Sequence, residues 1–258
     1  MAYWQDRMQA AQNAVSAKTQ KEIDKHVRKY YQQLSKQVIK EYESLFNEVL
    51  AKQAAGETIS PATLYAMDKY WAMNAQLKNR LSKMGSKLQA MMTKLFQIAY
   101  WNSYNSINIQ GLKAFTTLDD AAVQQIINAV WCADGKSWSQ RIWNNTTLLQ
   151  QTLDEQLIHC VVAGKKTTQL KELLQSRFNV SYSRADALVR TEIAHIQTEA
   201  AKQRYTDYGI QQVEIWADKD ERRCEVCGKL HKKKYPVGAA VPIPAHTNCR
   251  CCIVPVVE

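Results

Sequence analysis

Proline is almost missing from the first 235 residues, where Pro61 stands alone; the other four prolines lie at or beyond Pro236. A chain this free of helix breakers can run in long helices, and the shift at Pro236 separates a helical body from a tail of loops and strands. Long apolar runs are missing too, since none approaches the ~18 to 20 residues needed to span a bilayer. The start, MAYWQDRMQAAQ, lacks the basic-then-apolar layout of a secretory leader. The expectation is a chain made and kept in a cytoplasm, with no membrane partner. Seven cysteines, an odd number clustered at metal-like spacing, fit that reducing setting better than a disulfide framework. We find no internal repeat and no low-complexity tract.

Acidic residues are missing between Asp68 and Asp119. The net charge of +10 is concentrated toward the N-terminus, where residues 1–110 hold 15 Lys/Arg against 8 Asp/Glu. Lys78, Arg80, Lys83, Lys87 and Lys94 fall in the acid-free span, interleaved with Tyr70, Trp71, Phe96, Tyr100, Trp101 and Tyr104. A one-sign stripe attracts phosphates and releases counterions on binding, so these five are candidate DNA contacts. The competing reading is a solvated helix face whose aromatics are core.

What is present is helical periodicity. Trp4, Met8, Ala11, Val15, Ile23, Val27, Tyr30, Leu34, Val38, Tyr42, Leu45 and Val49 recur at steps of three and four, which puts them on one stripe. Such a stripe needs a partner helix. Ser60-Pro61 starts one, with Leu64, Met67, Trp71, Leu77, Leu81, Met84, Leu88, Met91, Leu95 and Ile98 facing inward, Asn74 as its one polar member and Gly85 as a possible weak point. Residues 1–110 therefore read as a long basic helical hairpin. Thr117-Leu118-Asp119-Asp120 opens a helix to about Ala133, and another carries Trp138 to Val161 before Gly164. A short helix to Phe178 follows Thr167 or Thr168, and Ser183 with Asp186 opens a further helix ending at Gly209. Residues 111–180 form the helical connecting region. Residues 181–258 form a small α+β module, with strands at 212–216 and 253–257 able to pair; Pro255 makes the second an edge strand. The fold class is mainly α.

Five cysteines fall within CEVCGKLHKKKYPVGAAVPIPAHTNCRCC, residues 224–252. Cys224 and Cys227 form C-x2-C, in which two thiolates from one turn point at one ion, with Gly228 helping that turn close. His246-Thr247-Asn248-Cys249-Arg250-Cys251 offers H-x2-C-x-C. Two pairs separated by such a loop suit a structural zinc site of Cys224, Cys227, His246 and Cys249, with Cys251 the alternative fourth ligand. His231 belongs to a basic run expected to face solvent. Cys252 reads as a small buried residue, and Cys132 and Cys160 as helix-core positions. Residues 218–251 hold few large apolar side chains, which gives a metal staple its purpose. A catalytic zinc would need an open position and a carboxylate base, and no such motif accompanies the cysteines. A thioredoxin-like C-x-x-C would lack the second Cys/His cluster.

These residues, with the helix before them, resemble the phage head morphogenesis family, the minor head proteins typified by protein F of phage Mu. The matching pieces are Arg190-Thr191-Glu192, the strand to Trp216, Asp220-x-Arg222-x-Cys224-x-x-Cys227, Leu230, and His246-x-Asn248-Cys249-Arg250-Cys251. Trp138–Trp143 and Phe178–Tyr182 also look like members from phages of Gram-positive hosts. The specific likeness covers about residues 137–256. It departs at His231, where an acidic residue is usual, and at Thr247, where proline is usual. The resemblance implies a non-enzymatic component of the virion or procapsid interior, assembled in the host cytoplasm. Its implied partners are the portal, and further the scaffold or major capsid protein and nonspecifically held packaged double-stranded DNA. Arg190, Glu192, Asp220 and Arg222 read as a polar network bracing helix against tail. The alternatives are a zinc-containing DNA-binding protein acting through the basic stripe, and a zinc-dependent enzyme.

Overall fold

The computed structural model of the chain describes residues 2–109, 111, 118–217 and 223–257; Thr117, Asp220 and Arg222 of the sequence reading lie outside them, as do the side chains of Trp4, Met8 and Ile23. Seven helices and three strands follow in the order α1 (Ala2–Ala54), α2 (Pro61–Tyr65), α3 (Asp68–Ser106), α4 (Asp120–Asn128), α5 (Trp138–Val162), α6 (Thr167–Asp207), β1 (Gln212–Trp216), α7 (Glu225–Leu230), β2 (Lys234–Pro236) and β3 (Cys252–Pro255) among the described residues. The chain divides into two compact units. One comprises Met1–Ile23, Met91–Trp138 and Ala187–Glu258, the other Asp24–Ala90 and Ser139–Asp186.

The Asp24–Ala90/Ser139–Asp186 unit is all helical. Its part of α1 buries Val27, Leu34, Val38, Tyr42, Leu45 and Val49, the periodic stripe of the sequence. α1 and α3 are antiparallel here. Lys69 meets Glu48 (2.7 Å), Arg80 meets Glu41 (2.7 Å) and Lys87 lies over the Tyr30 ring (5.6 Å), so partners on α1 retreat as α3 advances.

The second hairpin helix does not start at Pro61 and run on: α2 stops at Tyr65 and α3 restarts at Asp68, with the Met67 amide bonded to Leu64 and that of Tyr70 to Met67. Its stripe also sits differently. Tyr70 and Met73 are buried, whereas Trp71 is 56% exposed and donates its Nε1–H to the Tyr65 carbonyl. The indole lies over the hairpin tip with its polar edge satisfied.

Asn74 has a reason for its inward place. With the Tyr70 hydroxyl (2.8 Å), its amide donates to Asp154 of α5 (3.4 Å). Gly85 does not weaken α3; it makes room for Trp143. A Cβ there would lie 2.8 Å from the indole ring, whose Nε1–H donates to Gln89 (3.1 Å). Alanine should gain ~1 kcal/mol of helix propensity and lose more to overpacking, about 1–3 kcal/mol. We therefore expect Gly85→Ala to lower stability in chemical unfolding, although on an exposed helix the same change stabilises; an unchanged or raised midpoint would count against the indole contact.

α6 is one helix of 41 residues and has no break at 178–183. The boundary expected at 180/181 therefore falls inside it. Ser183 does not cap; its hydroxyl bonds back to the Asn179 carbonyl (3.0 Å) and so satisfies itself within the helix. Phe178 and Ser181 are buried, and the Ser181 carbonyl and hydroxyl meet Asn145 (2.9 Å) and Tyr31 (3.2 Å). Packing outweighs the weak local propensity of Asn179-Val180-Ser181. Burial pushes the Tyr31 phenol up to about 12.

In the other unit, Asp119 caps α4 by accepting from the Ala122 amide (2.8 Å). α4 ends at Asn128, short of Ala133, so Cys132 lies beyond the helix and is half-buried; Cys160, which belongs to the Asp24–Ala90/Ser139–Asp186 unit, is a core residue of α5 as expected. The sheet has the order β2-β1-β3, all antiparallel, with Val213 opposite Tyr235 and Pro255, and Trp216 opposite Cys252. Pro255 is on an edge strand, where its missing N–H costs no ladder bond. Gly209 (φ 76°) turns the chain from α6 into β1. The buried sheet residues Val213, Ile215, Ile253 and Val254 share a core with Ala201 and Tyr205 of α6 and with Ile107 and Ile109. The Tyr205 hydroxyl fixes that packing by donating to the Ile253 carbonyl (3.2 Å).

Candidate metal centre

Two short pieces of backbone aim the donors. The first is α7, for which Cys224 is the N-cap: its Sγ accepts from the Cys227 amide (3.4 Å), which brings both sulfurs to one side of the first turn. Gly228 is not needed to close this turn. It is helical, and its amide bonds to the Cys224 carbonyl (2.9 Å). The second piece is the turn His246–Cys249, closed by the Cys249 amide on the His246 carbonyl (3.1 Å), with Asn248 left-handed at φ 60°. Asparagine tolerates that conformation better than most side chains, which accounts for its place before Cys249.

The donor atoms form two overlapping trios, Cys224/Cys227/His246 and Cys227/Cys249/Cys251. His246 Nε2 lies 3.3 Å from Cys224 Sγ and 3.1 Å from Cys227 Sγ, and Cys227 Sγ lies 3.8 Å from Cys249 Sγ. Sulfurs and an imidazole nitrogen around one tetrahedral ion would be roughly 3.5–3.8 Å apart, given zinc bonds of about 2.3 and 2.0 Å. The spacing is compatible with a metal ion, and Cys227 is common to both trios. His246 Nδ1–H donates to the Thr247 carbonyl (2.8 Å). That contact fixes the tautomer with the Nε2 lone pair toward the sulfurs, as a ligating histidine requires.

The electrostatics fit a cation. The Cys251 thiol hydrogen-bonds Cys249 and pulls its pKa down to about 5, so a thiolate stands there at neutral pH. Burial pushes Cys227 up to about 12, and the bond to Cys249 followed by burial pushes Cys251 far up. Cys224 is lowered, chiefly by the Cys227 amide, and His246 is raised, chiefly by the Thr247 carbonyl. A buried cluster with one ready thiolate and two withheld protons gives up those protons when a metal supplies the opposing charge. Among the described residues no carboxylate joins either trio. Glu225, the closest in sequence, pairs with Lys229 (2.6 Å) in solvent. Cys252 belongs to neither trio and is buried on β3 opposite Trp216.

The flanking residues tie this centre to α6. The Asn248 amide donates to Thr191 Oγ1 (3.1 Å), and that hydroxyl donates to the Ala187 carbonyl (2.7 Å). One turn further in, Glu192 is 3% exposed and accepts from Trp131 Nε1 (2.9 Å), and His195 stacks on the same indole (4.4 Å, 15°). Of Arg190-Thr191-Glu192, the middle residue holds the ligand turn, Glu192 holds the segment after α4, and Arg190 is exposed. Asp220 and Arg222 fall outside the described residues. His231 is no solvent-facing member of the basic run: its Nδ1 accepts from the Ala217 amide (3.2 Å) and its ring packs edge-on to Trp216 (4.7 Å). It braces the end of β1. Thr191 and Asn248 were visible as motif letters without a role; Trp131 and His195 carried no sequence signal.

Residues 151–254 match the family described as Phage Mu protein F like protein. Over that stretch the chain is similar to phage Mu protein F-like proteins. The matched stretch begins in α5, runs through α6 and ends in β3, and so contains both trios and the helix that braces them. No curated protein and no solved structure matches the chain. No described helix is long and apolar enough to cross a membrane.

Proposed function

We propose that this F-like protein is a non-enzymatic minor head component that associates with the portal and supports head assembly and DNA packaging or delivery. The observation that carries the reading is the coincidence of the family match with the stretch that holds the metal centre and its α6 brace. In this reading the 223–257 module is a docking element, made rigid by one structural zinc held by Cys224, Cys227, Cys249 and His246 or Cys251. The ion supplies charge and cross-linking, the part a closed set of four protein ligands plays. The basic helices suit a crowded interior shared with packaged DNA.

The test is incorporation. Portal and procapsids isolated from infected cells should retain the wild-type protein and lose the Cys227→Ser variant, while both chains are expressed equally. A wild-type protein with no affinity for portal at any stage of assembly would defeat the proposal.

A further inference from the structure

The acid-free stripe of the sequence acquires a specific shape in the Asp24–Ala90/Ser139–Asp186 unit. A groove of about 540 Å³ runs between α1 and α3, with Tyr30, Gln33, Lys36 and Gln37 on one wall and Lys83 and Lys87 on the other. No acidic side chain lines it. Arg80 also reaches it, but Glu41 holds that guanidinium at 2.7 Å. Among the described residues, no carboxylate pairs with Lys36, Lys83 or Lys87. Lys36 and Lys40 also line a second groove, of about 680 Å³, whose other charges are Glu43, Glu172 and Lys171, with Lys171 held by Glu43 at 2.7 Å. The two grooves therefore meet at Lys36, and among the described residues the unpaired cations at and beside their junction are Lys36, Lys40, Lys83 and Lys87. Lys78 and Lys94, part of the same stripe in the sequence, line neither groove.

We propose that this track is a binding site for the sugar-phosphate backbone of double-stranded DNA, with Lys36, Lys83 and Lys87 as its phosphate contacts. Four features select this ligand. The lysine pairs Lys36/Lys40 and Lys83/Lys87 are each one helical turn apart, about 6 Å along the axis, which suits a ligand with regularly repeated charge. Gln33 and Gln37 add neutral donors for phosphate or sugar oxygens, the usual company of such lysines. The only aromatic ring on the walls, Tyr30, already has Lys87 over its face (5.6 Å), so it offers no platform for an unpaired base. Single strands depend on such platforms. The walls also lack the exposed apolar anchor around which protein interfaces form; Leu34 and Met84, at the groove floor, are buried. The site needs neither the metal centre nor the portal.

The experiment is anisotropy titration of a labelled 30-base-pair duplex with the full chain over a series of salt concentrations. Each phosphate contact contributes about 0.9 to the slope of log K against log salt. The Lys36→Gln/Lys83→Gln/Lys87→Gln variant should lose between two and three from that slope, roughly 0.9 for each lysine. Lys78→Gln/Lys94→Gln should leave it unchanged. Glu41→Gln, which releases Arg80, should steepen it by about one contact. All these lysines are exposed, and far-ultraviolet dichroism of each variant confirms an intact fold. Wild-type protein without affinity for the duplex even at about 50 mM salt, tighter binding to single strands, or a triple variant with the wild-type slope would each overturn the assignment.

Discussion

Cys227→Ser should empty the metal centre and release α7 and the 243–251 segment, while β1 and β3 stay folded. Cys227 is the donor shared by both trios, so no choice of fourth ligand rescues its loss. Structural zinc contributes on the order of 10 kcal/mol to the folding of the segment that holds it, which makes this the largest single-residue effect we expect. Its reach is limited by what else supports the module. β1 and β3 lie on Ala201 and Tyr205 of α6, and the Tyr205 hydroxyl ties down the Ile253 carbonyl. The ligand segments have only Ile243, Cys227, Cys249 and Cys251 as buried side chains among the described residues 223–251, and Cys224 is exposed.

Hydrogen exchange should therefore show loss of protection at the Cys227, Gly228 and His231 amides, with protection at Ile215 and Ile253 retained. Cys252→Ser, outside both trios, should keep the metal. His246→Ala and Cys251→Ser decide the fourth ligand, because only the true one costs metal. Loss of protection throughout the sheet would show that the core described here does not hold it.

His195 gives the second large effect. Burial, with Lys202 nearby, pushes its pKa down to about 4 from an ordinary 6.5. The ring is therefore neutral in the folded protein, packed on Trp131, while the unfolded chain binds a proton below 6.5. The unfolded state holds more protons between those values, so stability falls as pH falls through that window. A shift of this size corresponds to about 3 kcal/mol, fully present above pH 6.5 and fully lost only below about 4. Urea unfolding at pH 7, 5.5 and 4.5 should show His195→Gln losing less stability than wild type over the same interval. Parallel loss in the two proteins would mean that the imidazole is charged in the fold.

The sequence was most informative where chemistry demands fixed spacing. C-x2-C and H-x2-C-x-C are local, and backbone geometry turns them into converging donors without reference to the rest of the chain. Caps such as Asp119 and the turn at Gly209 were legible for the same reason. Elements that owe their form to distant packing were not. The 178–183 segment looks like a helix boundary until Phe178 and Ser181 are seen in the core, and Gly85 looks like a weakness until Trp143 fills its space. β2 is three residues long and sits in a lysine run; it pairs because β1 offers it an edge, and periodicity cannot show that. His231 reads as one more basic residue until the Ala217 amide is found on its ring nitrogen.

The central claim is that the F-like segment is a metal-stapled module. Metal analysis of the purified full-length chain tests it most directly. The account predicts about one zinc per chain, retained through gel filtration and lost in Cys227→Ser. A metal-free protein whose α7 and 246–251 amides are nonetheless protected from exchange would contradict it.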